Sequence, residues 1–183
     1  MKKALLIFLF ALFITARVNA GDDLGTYKQI VEKTLKYPRE AVYPLPAILP
    51  DPTKTDEENA EYMNVAKALE KMGEARLSRK GGQVVLKPDA GNEDVIGREE
   101  DMNYNVVALN LIMGNWSVQA ANFTKDGSKY VVSGKKVLKP SRLYDKVSAA
   151  LSPASLKEYS TSNMTWTIEK AGAKYRVIER YAK

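Results

Sequence analysis

The stretch TDEENAEYMNVAKALEKMGEARLSRKGG, residues 55–82, decides the fold. It opens with a capping box, because Thr55 and Glu58 stand three residues apart at the start of an apolar pattern. Apolar residues then recur with the period of an α-helix until Gly81-Gly82 supplies a stop signal. The members of this stripe are Tyr62, Val65, Ala66, Leu69, Met72 and Leu77. The pattern predicts one long helix over 55–80, whose apolar stripe other elements must cover.

Gly73 is unusual in such a helix, since glycine in a helix interior costs about 1 kcal/mol relative to alanine. The interpretation offered by the sequence is a close approach of another element at this position. Arg76, Arg79 and Lys80 would suit the negative end of the helix dipole.

Most of the chain after this helix indicates antiparallel strands. Residues 104–113 fit either a helix or a strand, and their β-branched residues with Gly114-Asn115 as a following turn favour a strand. Asp126-Gly127 between two apolar runs predicts a hairpin, and a second hairpin ends the chain. The predicted strands are 83–87, 104–113, 116–124, 129–138, 164–170 and 174–182.

Two shorter helices complete the prediction, one over 22–36 and one over 141–151, followed by a short turn of helix that Ser152-Pro153 starts. Helices combined with hairpins, without βαβ alternation, are typical of the α+β class. We therefore predict an α+β fold in which a curved antiparallel sheet packs on one long helix with two shorter helices.

The segment 38–54 holds five of the eight prolines and is too apolar for an ordinary linker. Proline fixes φ and removes a hydrogen-bond donor, so the segment is predicted to be an extended strap without regular structure. Two interpretations stay open. The strap packs across the core of its own domain, or it docks a partner through Tyr43, Leu45 and Ile48.

The first 20 residues have the pattern of a secretory signal peptide, with Lys2-Lys3 before an apolar run at 5–14 and cleavage expected after Ala20. A membrane anchor is the alternative. Cleavage would leave 21–183 as one α+β domain without a transmembrane segment.

Loss of three basic residues would leave 25 basic against 22 acidic residues, a net charge of +3 that does not indicate nucleic-acid binding. A eukaryotic secreted protein is the alternative, but such domains commonly carry disulfides, so export without cysteine favours a periplasmic or secreted bacterial envelope protein.

The chain contains neither histidine nor cysteine, which excludes imidazole-based nucleophiles and zinc–thiolate sites. Residues 133–136 match S-x-x-K, but the companion motifs of that serine–lysine chemistry are missing. The acidic loop 88–101 lacks calcium-loop spacing. No catalytic residue, metal ligand or cofactor is predicted. Paired carboxylates stay open as the basis of a small envelope hydrolase.

Basic residues concentrate on the terminal hairpin. In a strand, Lys174, Arg176 and Arg180 share one face, while aromatic Tyr175 and Tyr181 share the other. The basic face is either simply solvated or binds an anionic partner, such as an acidic protein, lipid phosphates or a cell-wall polymer.

These patterns favour an exported, non-catalytic interaction module of the bacterial envelope, of the secretion or assembly accessory, inhibitor or immunity type. Its partner would be a protein or an anionic envelope component. Besides the hydrolase, a carrier of a small apolar ligand is an alternative, with a pocket lined from Tyr62, Trp116 and Trp166.

Overall fold

The structure is a computed structural model that describes residues 24–89, 96–103 and 105–182. In chain order its elements are α1 (24–35), β1 (Arg39–Pro46), β2 (Ile48–Leu49), α2 (Asp56–Lys71), β3 (Ala75–Lys80), β4 (Gln83–Pro88), β5 (Ile96–Glu100), β6 (Val106–Asp126), β7 (Lys129–Pro140), α3 (Tyr144–Val147), a 3₁₀ turn (Ser148–Ala150), α4 (Pro153–Glu158), β8 (Ser162–Ala171) and β9 (Lys174–Tyr181). The predicted signal peptide and residues 90–95 of the acidic loop lie outside the described residues.

The chain divides into two compact units, and each is built from separate segments. Among the described residues, the first unit comprises 24–38, 117–137 and 161–182, and the second comprises 39–89, 96–103, 105–116 and 138–160. The prediction of a single domain over 21–183 stays a prediction.

The first unit contains α1 and an antiparallel sheet in the order β6-β7-β8-β9, with β6 contributing its second half. Both predicted hairpins are confirmed. Gly127 and Gly172 occupy their turns with φ values of 58° and 63°, a region that glycine adopts without steric cost.

One face of this sheet forms the core of the first unit. Its four most buried side chains, each no more than 2% exposed, are Val132, Met164, Trp166 and Ile168. Helix α1 contributes the fully buried Val31 and stacks Tyr27 on Tyr130, with ring centroids 4.3 Å apart. The predicted first helix is therefore confirmed, and its apolar side packs in the core.

Backbones approach closely in this unit at Gly134 of β7. A Cβ at this position would lie 2.1 Å from the carbonyl oxygen of Gln119 on β6. Because the neighbour is backbone, it cannot turn aside as a flexible side chain would, and any larger residue would force the strands apart.

The second unit corrects the prediction of one long helix. Both capping-box bonds of Thr55 and Glu58 are present, so the start is confirmed, but α2 has 16 residues and ends at Lys71. Gly73 follows with φ 74°, the left-handed conformation with which helices commonly end. Its role is to stop the helix, not to permit a close approach, because nothing lies within 4 Å of a Cβ built there.

The remainder of the predicted helix is strand β3, which pairs antiparallel with β4. Gly81 and Gly82 join the two strands with φ values of 57° and 82°, as a two-residue hairpin loop requires. Leu77, predicted to belong to the helix stripe, lies opposite Leu86 in this hairpin. The predicted strand over 83–87 is confirmed as β4.

The proline-rich segment is also corrected, since it forms two strands where no regular structure was expected. β1 pairs antiparallel with β6 and stands at the end of the strand order, and β2 pairs with β4. Because Pro44 and Pro46 are two residues apart, the backbone N–H groups that they lack would both lie on the same edge of β1. An edge strand tolerates this loss on its unpaired side. The alternate residues Ala41, Tyr43 and Leu45 are buried, so the segment packs in the core of its own unit.

Residues 106–113 are strand, as predicted, but the turn expected at Gly114-Asn115 is wrong because β6 continues to Asp126. Gly114 serves a different purpose there. A Cβ on it would lie 2.3 Å from the carbonyl oxygen of Lys139, so glycine is needed where β7 passes.

Beyond β7, the helix predicted over 141–151 is shorter, consisting of α3 and the 3₁₀ turn. Ser152 caps α4 by accepting a hydrogen bond from the Ser155 N–H, and Pro153 occupies the first turn, as predicted. The α+β class with antiparallel sheets is confirmed, while the single long helix is not. Among the described helices, none has the length and apolar character that a membrane span requires.

Candidate binding surfaces

The face of β7–β9 opposite the core of the first unit carries most of the positive charge of these strands. The register places Lys129, Glu169 and Arg176 side by side across β7, β8 and β9. The next row on this face contains Val131, Thr167 and Ile178. The row after it contains Ser133, Thr165 and Arg180. We define the basic face by its five cations, which are Lys129, Lys135, Lys174, Arg176 and Arg180.

All five cations of the basic face are exposed. The predicted shared strand face of Lys174, Arg176 and Arg180 is confirmed by their partners on β8, which all have the same orientation. Lys174, the first residue of β9, lies at the edge of this face, because it also lines a hollow of about 440 Å³ beside α1, which packs on the opposite face. Binding of a partner by these residues stays a prediction.

One carboxylate interrupts the positive charge. Glu169 lies 2.7 Å from the Lys129 ammonium group. This hydrogen bond lowers the pKa of Glu169 below its ordinary value, against the opposing effect of desolvation and with help from the charges of Lys129, Arg176 and Arg180. Glu169 thus stays ionised and neutralises one of the five cations, which leaves the face with a net charge of about +4.

The middle of the basic face carries no aromatic side chain and no fully exposed apolar one. Val131, Thr165, Thr167 and Ile178 are only partly exposed, and Ser133 and the threonines contribute hydroxyl groups. The aromatic side chains of β9 belong to the opposite face, where Tyr175 is 44% and Tyr181 is 68% exposed.

The three strap residues predicted to dock a partner have different environments. Tyr43 and Leu45 are 6% and 0% exposed and belong to the core of the second unit. Ile48 is 45% exposed and lines a cavity of about 890 Å³ with Lys80 and Val85. The structure therefore does not bring these three side chains together on one accessible surface.

The second unit contains a carboxylate centre that the sequence did not reveal. Glu61 of α2 accepts hydrogen bonds at Oε1 from the Tyr43 hydroxyl, at 2.8 Å, and from the Ser155 hydroxyl, at 2.7 Å. Its Oε2 accepts the Ser152 N–H at 2.9 Å. The only sequence signal was the Ser152-Pro153 cap, which marks where α4 begins but not which carboxylate reaches it.

The environment of Glu61 favours its charged form. Burial opposes the charge, but the bonds from Ser152, Ser155 and Tyr43 outweigh it and lower the pKa of Glu61. In turn, burial and Glu61 raise the pKa of Tyr43 well above its ordinary value. Burial, Glu158 and Glu61 raise the pKa of Tyr159 to about 12. Glu61 therefore acts as a charged link between α2, β1 and the start of α4.

This geometry gives little support to acid catalysis at Glu61. A general acid in a carboxylate pair needs a raised pKa, and that of Glu61 is lowered. Among the described carboxylates of the second unit, Glu74 is the most buried, and it lies 3.6 Å from the Arg142 guanidinium. The hydrolase hypothesis stays a prediction without an assigned pair.

Two other sequence candidates are located by the strands. Ser133 lies on the basic face and Lys136 on the opposite face, above the Tyr181 ring, so the S-x-x-K residues do not face each other. Trp116 and Trp166, proposed to line a carrier pocket, are 7% and 0% exposed. Within the described residues, no group of three or more acidic side chains is arranged to hold a metal ion.

Comparisons of the chain with protein-family models, with curated proteins and with solved structures give no match.

Proposed function

We propose that this protein is an exported, non-catalytic interaction module of the bacterial envelope whose basic face binds an anionic partner. The observation that carries the proposal is the register of β7–β9. It places five exposed cations on one face of these strands with a single carboxylate, Glu169, which is already paired with Lys129. A surface dominated by one sign of charge attracts partners of the opposite sign and accelerates their association.

The charge distribution of the first unit argues against a merely solvated face. Mixed charges of both signs are usual on a protein surface that has no binding role. On the basic face, by contrast, four of the five cations have no ion-pair partner within 4.0 Å among the residues that the structure describes. Grouping them costs repulsion that a bound anion would remove.

Binding fits the chemistry of this face better than catalysis does. Its hydroxyl groups are Ser133, Thr165 and Thr167, and the chain has no histidine to activate them. Donor groups without a general base can hold an anion but do not generate a nucleophile.

The test is the triple variant Lys174→Glu, Arg176→Glu, Arg180→Glu, compared with the wild type for retention on immobilised envelope fractions at low and high salt. Exposed charges contribute about 0–1 kcal/mol each to stability, so the variant should fold. Wild-type retention should fall with added salt, and the variant should be retained weakly at both concentrations.

A matched control reverses three exposed cations of the second unit, in the variant Lys67→Glu, Arg79→Glu, Lys80→Glu. It changes net charge by the same amount but leaves the basic face intact, so it should be retained nearly as well as the wild type. Equal retention of all three proteins at low salt would reject the basic face as the binding surface.

A further inference from the structure

We infer that the partner bound by the basic face is a linear polymer carrying phosphate groups, and this inference rests on the proposed function. Three properties of the face indicate this class of partner. They are the distribution of its cations, its lack of an exposed apolar anchor and the nature of its hydrogen-bonding groups.

The cations form an extended track along the strands. Lys174 and Arg176 stand at one end with Lys129. Arg180 lies four residues beyond Arg176 on β9, and Lys135 lies further in the same direction on β7. A strand advances about 3.4 Å per residue, so a track spanning eight residues is about 27 Å long. Such a length suits an extended chain of anionic groups better than a single small anion.

No apolar side chain of the basic face is more than partly exposed, so none is well placed to anchor a protein or a membrane. Protein interfaces depend on a few buried aromatic or aliphatic side chains at their centre, and membrane-binding surfaces insert apolar side chains. At the centre of this face Val131 and Ile178 are only partly exposed, and Tyr175 and Tyr181 belong to the opposite face. A partner recognised here must contribute its binding energy through charge and hydrogen bonds.

The polar groups of the face suit phosphate. Arg176 and Arg180 offer planar guanidinium groups that bind phosphate oxygens in pairs, and Lys135 and Lys174 offer point charges. Between them, the hydroxyl groups of Ser133, Thr165 and Thr167 can donate to the same oxygens.

The experiment measures binding of the full mature chain to end-labelled inorganic polyphosphate by fluorescence anisotropy, between 50 and 200 mM salt. Because Lys129 is paired with Glu169, four cations remain that can displace counterions from the polymer. At a slope of about 0.7 per contact, affinity should fall roughly fifty-fold over this range. In the variant Lys135→Gln, Arg176→Gln, Arg180→Gln, one contact remains and the fall should be only about three-fold.

Two controls separate charge from folding. The variant Arg176→Lys, Arg180→Lys keeps every charge and should keep the steep salt dependence, although it loses the paired guanidinium contacts. The variant Lys67→Gln, Arg79→Gln, Lys80→Gln removes three exposed cations of the second unit and should bind polyphosphate as the wild type does.

Two further probes identify the class of partner. Poly-L-glutamate of matched charge and vesicles containing an anionic phospholipid should both bind more weakly than polyphosphate. Equally tight binding of polyglutamate, or binding to vesicles without binding to polyphosphate, would overturn the inference. If polyphosphate does not bind while envelope fractions still retain the wild type through the basic face, the inference fails and the proposed function survives. If neither binds, both fail.

Discussion

Glu61 joins three elements of the second unit, and its replacement by glutamine tests whether that link supports the fold. The substitution Glu61→Gln preserves the shape of the side chain but exchanges one acceptor oxygen for an NH₂ donor. Tyr43 and Ser155 both donate to Oε1, while the Ser152 N–H donates to Oε2. A glutamine with its oxygen at the Oε1 position keeps two bonds and leaves the Ser152 N–H facing a donor.

The magnitude follows from that count. A part-buried donor that loses its acceptor costs about 1–3 kcal/mol, and the two retained bonds lose their charge assistance. In a domain of this size the loss corresponds to a fall in Tm of about 2–12 °C. Glu57 lies one turn earlier on α2 and is exposed, so Glu57→Gln is the matched control, with an expected loss of about 0.5 kcal/mol from the helix dipole.

The pH dependence provides an independent check. Because the folded protein lowers the pKa of Glu61, its charge stabilises the fold above the unfolded pKa of about 4.3, and this stabilisation is lost as the pH falls through the folded value. Thermal melts at pH 7 and at pH 2.5 should therefore show that the difference in Tm between wild type and Glu61→Gln is smaller at pH 2.5 than at pH 7. A variant melting with the wild type at pH 7, or a gap unchanged by pH, would refute the reasoning.

Two further predictions concern the cores of the two units. Leu69 of α2 is fully buried, so Leu69→Ala should destabilise the protein by about 2–5 kcal/mol in chemical denaturation, and an unchanged midpoint would mean that the α2 stripe is not core. In the first unit, Gly134→Ala would place a Cβ 2.1 Å from the Gln119 carbonyl oxygen and should lower stability by about 1–3 kcal/mol or more. Gly25→Ala, where nothing lies within 4 Å, should melt no lower than the wild type, and equal melting of the two variants would contradict the close approach at Gly134.

Local patterns predicted those features whose cause is local. These features, which depend on residues a few positions apart, are all confirmed: the capping box at Thr55, the Ser152-Pro153 cap and the two predicted hairpins. The basic face followed from the same logic, because side chains alternate along any strand. Only its extension to Lys129 and Lys135 required knowledge that β7 pairs with β8.

Contacts between distant residues decided the rest. The segment from Arg39 to Pro46 is a strand because β6, some 70 residues later, offers it a pairing edge, and no local propensity in a proline-rich segment indicates this. Gly73 ends α2 locally, but only the pairing with β4 makes the residues after it a strand, although an apolar position at Leu77 continued the helical period. The composition and spacing of the sequence by themselves determined the α+β class and the sign of charge on the terminal hairpin. The tertiary structure alone decided which prolines lie at a sheet edge and which donors Glu61 accepts, since hydrogen bonds and close packing join residues that the chain holds far apart.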